Sequence, residues 1–124
     1  MVCVLIVDDE LSVRSTLRHK LEGMGHEVVD ASDGREALRI AEGRRPDIAI
    51  VDILMPEMDG IEIIKEFKSK DYRFPIIAMH SQGTARSIRY GNIAKMLGAD
   101  DVLEKPLTAS EVETIVSRLI KADA

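Results

Sequence analysis

Apolar positions along the 124-residue chain follow two alternating patterns. Short, nearly continuous apolar runs end in acidic or special residues. Longer segments with apolar positions three and four apart follow them. The first run is Val2–Val7, which stops at Asp8-Asp9. Val13, Leu17, Leu21 and Met24 then mark one helical face. Gly23 and Gly25 end that helix. Glu27–Ala31 predicts a second strand, and its charges suit a sheet edge. Asp33 with Glu36 forms a capping pair ahead of Ala37, Leu38 and Ala41, and Gly43 and Pro46 close that helix.

Asp47–Val51 predicts a third strand. It is apolar on both faces, as a strand covered by helices on both sides must be. Asp59 and Glu62 repeat the cap before Ile63, Ile64 and Phe67. Phe74–Met79 predicts a fourth strand, entered through Pro75. Residues 84–97 predict a fourth helix, interrupted at Gly91-Asn92. Asp101–Glu104 is a short fifth strand. Thr108 and Glu111 cap a last amphipathic helix bearing Val112, Ile115, Val116, Leu119 and Ile120. Strands alternating with helices imply an α/β domain with a parallel sheet and right-handed crossovers. The whole of 1–124 reads as one domain, with no output domain in this chain. The Met1 start and the tail from Lys121 lean towards a complete chain, the alternative being a piece of a longer regulator.

Composition narrows the classes. Aromatic residues make up 3% of the chain and Trp is absent, so an aliphatic core is expected. The formal net charge of −5 disfavours direct nucleic-acid binding, which needs clustered cations. Arg44-Arg45 and Arg86/Arg89 are basic pairs that read as solvated helix ends. Cys3 is the only cysteine, which excludes an intrachain disulfide and fits a reducing, cytoplasmic compartment. The Val2–Val7 run is too short for a signal peptide or a membrane span.

In open α/β sheets, ligands sit beyond the carboxyl ends of the strands. Those ends here carry Asp8-Asp9, Asp52, His80-Ser81 and Lys105-Pro106. If the first and third strands are neighbours, Asp8, Asp9 and Asp52 converge. Like charges ~4 Å apart repel by several kcal/mol at a surface-like dielectric. A divalent cation removes that repulsion, and Mg2+ prefers hard, partly hydrated oxygen ligands. Carboxylates, Mg2+ and a lysine suit a transferring phosphoryl group. A carboxylate can itself be the nucleophile. Asp8-Asp9 merely capping the first helix would leave Asp52 and Lys105 unexplained.

Three segments together resemble the receiver domain of two-component response regulators: Val4–Glu10, Val51–Gly60 and Glu104–Leu107. The resemblance covers essentially the whole chain. It implies a doubly wound (βα)5 sandwich, flavodoxin-like, with strand order 2-1-3-4-5. It implies Asp52 as phosphoacceptor, with Asp9, Asp52 and the backbone carbonyl of Leu54 ligating Mg2+ and Asp8 acting through water. Lys105 would contact phosphoryl oxygens, and the Lys105-Pro106 peptide would be cis. A histidine kinase or phosphotransfer protein would be the donor. A downstream protein would dock on the face of the fourth helix, fifth strand and fifth helix. Self-association is left open, and the domain would catalyse only its own phosphorylation and dephosphorylation.

The chain departs from this pattern at the switch region. Where the family carries Thr or Ser at the end of strand four, His80 stands, followed by Ser81. Three readings stay open: Ser81 supplies the hydroxyl, His80 contacts the phosphoryl group, or Thr84 does so. Val102 replaces the family's strand-five aromatic, and Tyr90 reads either as its substitute or as an exposed helix residue. Gln82-Gly83-Thr84 and Tyr90-Gly91-Asn92 suggest a longer loop or a broken fourth helix. The alternative to a phosphoacceptor is a degenerate receiver that binds protein without phosphorylation. Asp100 and Glu22 read as solvated, and His19 and His26 as surface residues.

Overall fold

Each apolar run pairs in parallel with a run distant in the chain, and each helix crosses from one pair to the next. A computed structural model describes residues 2–55, 60–80 and 85–123, with side chains through residue 120. In chain order the elements are β1 (Cys3–Val7), α1 (Leu11–Gly23), β2 (Glu27–Ala31), α2 (Gly34–Gly43) and β3 (Ile48–Asp52). They continue as α3 (Gly60–Ser69), β4 (Ile76–His80), α4 (Ala85–Met96), β5 (Asp101–Glu104) and α5 (Ala109–Asp123). The sheet is parallel throughout, in the order β2-β1-β3-β4-β5. The charged β2 lies at an edge, as its composition predicts. No helix among the described residues is long and apolar enough to cross a membrane.

Alternate strand residues face opposite layers. Val4, Ile6, Ile48, Ile50, Ile77 and Met79 pack against Leu17 and Leu21 of α1 and Val112 and Val116 of α5. Leu5, Val7, Ala49, Val51 and Ala78 pack against Ala37 and Ala41 of α2 and Ile63, Ile64 and Phe67 of α3. Burying each large aliphatic side chain contributes about 1.5–3 kcal/mol, which holds both layers on the sheet. The aliphatic expectation needs one correction. Phe67, Tyr72 and Phe74 form a mutual aromatic cluster, with Phe67 and Phe74 edge-on at 5.1 Å. Arg45 stacks over Tyr72 at 4.0 Å, and Arg44 pairs with Glu27, so neither arginine is simply solvated.

β1, β3 and β4 start one or two residues later than the apolar runs suggest, while β2 and β5 start where expected. An aspartate before β3 and another before β5 bind the first residues of β1 and β4. Asp47 donates its N–H to the Cys3 carbonyl at 2.8 Å and accepts the Cys3 N–H through Oδ2 at 2.7 Å. Asp100 does the same with Ile76, at 2.7 and 2.8 Å. Asp100 is therefore a clamp on the register of β4 and β5, not a solvated acid. His26 also has a partner, accepting the Val2 N–H at Nδ1. Glu22 pairs with Arg18.

The capping pairs form at α2 and α5. The Asp33 carboxylate accepts the Glu36 N–H at 2.9 Å, and Glu36 reaches back to the Ser32 N–H. Thr108 and Glu111 exchange bonds reciprocally. Asp59 lies outside the described residues, and α3 begins at Gly60. The helix α4 runs unbroken through Gly91-Asn92, against expectation. Gly91 is buried, and a Cβ there would stand 3.1 Å from Val102 Cγ1 and 3.5 Å from His80 Cδ2. The glycine lets α4 approach the sheet; it does not break the helix. Tyr90 is half-buried against the α2–α3 layer, with Arg86 5.5 Å over its ring. Gln82, Gly83 and Thr84 lie outside the described residues.

Candidate functional site

Parallel pairing brings three strand ends together. β1 lies between β2 and β3, so Asp8 and Asp9 sit beside Asp52 at the C-terminal edge. Carboxylate oxygens of Asp8, Asp9 and Asp52 lie within 4.8 Å of one another. Asp8 is 0% exposed and Asp52 3%, while Asp9 is open to solvent. Neither Asp8 nor Asp9 caps α1, because the N-cap is Glu10 and no side chain caps there. Instead the Asp8 Oδ1 accepts the Glu10 N–H at 2.9 Å.

Lys105 enters from the end of β5, where its N–H donates to the His80 carbonyl at 2.8 Å. The Lys105-Pro106 peptide is cis. The Lys105 ammonium stands 2.7 Å from Asp8 Oδ2 and donates to Asp52 Oδ2 at 3.1 Å. Its side chain is 16% exposed, so this is not a surface lysine. The Asp52 Oδ1 accepts the Leu54 N–H at 3.1 Å. Gly60 packs directly on the backbone of this turn. A Cβ there would fall 2.4 Å from the Asp52 carbonyl oxygen and 2.5 Å from Ile53 Cα.

The electrostatics are unbalanced. The Lys105 ammonium contacts two of the three clustered carboxylates, Asp8 and Asp52. Burial first, and then the Asp8 charge, push the Asp52 carboxyl up to about 6, even though Lys105 and the Leu54 N–H offset part of the rise. Burial lowers the Lys105 ammonium, but the two carboxylates outweigh it and the net shift is upward. The Asp8–Lys105 contact is an ion pair without hydrogen-bond alignment, so the buried Asp8 Oδ2 has no aligned donor. A buried oxygen lone pair left open beside two further carboxylates fits a hard divalent cation. The donor set therefore suits Mg2+.

His80 is half-buried at the end of β4, and its ring faces Gly91 of α4. Ser81 and Thr84 lie outside the described residues. Two residues at the site went unread in the sequence. Arg14 of α1 donates Nη1 to the Asp8 carbonyl at 2.8 Å and Nε to Asp30 at 3.1 Å. Lys20, also on α1, donates Nζ to the Leu107 carbonyl at 2.7 Å. Both stand on the polar face of a helix, where spacing alone suggests only solvent.

The model of the response regulator receiver domain matches residues 4–117. The chain belongs to the response regulator receiver family. This receiver is 37% identical over 119 residues to the alkaline phosphatase synthesis transcriptional regulatory protein PhoP of Bacillus subtilis, covering 95% of this chain and 48% of that protein. It is 36% identical over 121 residues to the response regulator MprA of Mycolicibacterium vanbaalenii, covering 97% of this chain and 51% of that one. The receiver thus spans about half the length of the curated relatives it matches. A response regulator receiver domain protein of Clostridium thermocellum superposes with a TM-score of 0.91 at 28% identity, covering 99% of this chain and 97% of that one. The Vibrio cholerae chemotaxis protein CheY4 superposes with a TM-score of 0.84 at 36% identity, covering 96% and 98%. These likenesses agree with the flavodoxin-like order of the sheet.

Proposed function

We propose that this receiver accepts a phosphoryl group on Asp52 from a histidine kinase or phosphotransfer protein, with Mg2+ held by Asp8, Asp9, Asp52 and the Leu54 carbonyl. The observation that carries this reading is the Lys105 ammonium bridging Asp8 and Asp52, with the Asp9 carboxylate clustered beside them. When bound, Mg2+ supplies charge neutralisation for the phosphoryl oxygens. The chain's own residues do the rest. An Asp52 carboxylate oxygen attacks phosphorus, and the bond from phosphorus to the donor's imidazole nitrogen breaks. That nitrogen keeps the bonding pair, and the donor imidazole, carrying a proton on its other ring nitrogen, leaves as a neutral histidine. Lys105 lies within reach of oxygens added to Asp52 and holds them by charge. Burial of Asp52 excludes competing water from the carboxylate.

The unit that does this is residues 1–124, acting as a signalling domain rather than a metabolic enzyme. The output is a protein docked on the α4-β5-α5 face; α4 carries the exposed Ile88 and Met96, which offer apolar contact. The transcriptional role that PhoP's name carries belongs to a protein about twice this length. The net charge of −5 argues against DNA contact by this domain itself. The lone Cys3 is buried and its thiol is pushed up by burial, in keeping with a reducing cytoplasm.

A second reading is favoured by His80 and Val102, which stand where the family carries a hydroxyl and an aromatic ring. In that reading the domain binds its partner without phosphorylation. Intact mass after exposure to a small-molecule phosphodonor with Mg2+ separates the two, beside Asp52→Asn and an EDTA control. A single Mg2+-dependent phosphate adduct, lost in Asp52→Asn, is the expected result. Absence of the adduct with both a phosphodonor and a cognate kinase overturns the phosphoacceptor reading.

A further inference from the structure

The segment that carries Lys105 is held from a helix remote in sequence. Lys20 and Leu107 are 87 positions apart, yet the Lys20 ammonium donates to the Leu107 carbonyl at 2.7 Å. Leu107 directly follows the cis Lys105-Pro106 peptide. Its side chain is buried beside Leu17 and Val112. The Lys105 N–H is fixed on the His80 carbonyl at 2.8 Å. Residues 105–107 are therefore tied at one end by β4 and at the other by α1.

The same helix holds the facing arm of the site. Arg14 donates to the Asp8 carbonyl, and the Asp8 carboxylate meets Lys105 at 2.7 Å. Two cations of α1 thus brace the two backbones whose side chains form the ion pair. Lys105 reaches its partners on a flexible four-carbon stem, so the position of its ammonium depends on where its backbone is fixed.

The Lys20 side chain is only half-buried, so water can take its place on the carbonyl and its loss changes global stability little. What the bond supplies is direction, a constraint on geometry.

We propose that Lys20 is a positioning residue, whose bond to the Leu107 carbonyl holds residues 105–107 so that Lys105 spans Asp8 and Asp52. Lys20 itself touches neither carboxylate among the contacts of the described residues. For its rate measurement the proposal rests on the phosphoacceptor reading above. Its second measurement does not.

The experiment compares Lys20→Met, Lys20→Gln and Lys20→Arg with the unaltered chain. Hydrogen exchange of the Lys105 amide is followed by NMR, and phosphate uptake from a small-molecule phosphodonor is timed at saturating Mg2+. In Lys20→Met, exchange at Lys105 accelerates and uptake slows roughly tenfold, a loss of the size that a small misplacement of a reacting group produces. The melting temperature stays close to that of the unaltered chain. Lys20→Arg restores both readouts, and Lys20→Gln, which keeps a donor, falls between. Unchanged Lys105 exchange in Lys20→Met overturns the proposal, as does uptake at the original rate. Slowed uptake that Lys20→Arg does not restore also overturns it. If the unaltered chain takes no phosphate, the phosphoacceptor reading fails instead, and exchange at Lys105 still decides the role of Lys20.

Discussion

Asp52→Asn should make the metal-free protein more stable at neutral pH while abolishing its phosphate adduct. The Asp52 carboxyl is raised from 3.8 to about 6, first by burial and then by the Asp8 charge. A carboxyl raised in the folded state is favoured there in its protonated form. Its contribution is fully present below pH ~4, the unfolded range, and is lost as pH climbs to about 6. Two pKa units correspond to about 3 kcal/mol, which is the ceiling on the cost of ionising Asp52 in the fold. Asparagine keeps the shape and an oxygen for the Leu54 N–H, but gives up the charge that Lys105 binds. A net gain of roughly 1–2 kcal/mol is therefore expected, or about 3–8 °C in melting temperature for a domain of this size. The assay is thermal denaturation of both proteins in EDTA from pH 4 to pH 7.5. The gap should open across that window and be absent at its acid end. Adding Mg2+ should reverse it, because binding to the native state stabilises the unaltered protein more. An Asp52→Asn protein less stable than its parent in EDTA at pH 7.5 would refute the electrostatic argument. So would a gap independent of pH.

Three packing contacts carry further predictions. Gly60→Ala places a Cβ 2.4 Å from the Asp52 carbonyl, where only backbone could move, so urea denaturation should show a loss of about 3 kcal/mol or more; Gly43→Ala, with nothing within 4 Å, is the control and should be neutral or slightly stabilising. Gly91→Ala gains helix propensity but crowds Val102 at 3.1 Å, so alone it should change stability little. In a Val102→Ala background the same substitution should stabilise by about 1 kcal/mol, and equal effects in both backgrounds would show that the contact does not matter. Asp100→Ala removes the carboxylate bound to the Ile76 N–H and should cost about 1–3 kcal/mol in urea, with amide exchange at Ile76 accelerated.

The site was legible because each chemical group stands at the end of a strand. Asp8, Asp52 and Lys105 stand where Val4–Val7, Ile48–Val51 and Asp101–Glu104 stop, and parallel pairing must bring such ends to one edge. The buried faces were legible for the same reason, since strand and helix periods differ. Gly91 was misread because glycine carries two meanings. It weakens a helix, and it also admits close approach of a neighbouring chain. Only the positions of Val102 and His80 tell which applies.

Asp47, Asp100, Arg14 and Lys20 were hidden for a different cause. Each is a charged residue whose partner is a backbone group outside its own element, from 6 to 87 positions away. Backbone groups are present at every position, so no residue pattern marks them. Yet these four side chains act on what the visible residues leave undetermined. Asp47 and Asp100 set where the strands begin, and hence the level at which Asp52 and Lys105 emerge. Arg14 and Lys20 then fix the backbones of the two arms that meet there. Hydrophobic burial has no direction, whereas a charge-assisted bond to a single backbone group does. The 2.7 Å approach of Lys105 to Asp8 depends on both backbones standing where such bonds hold them.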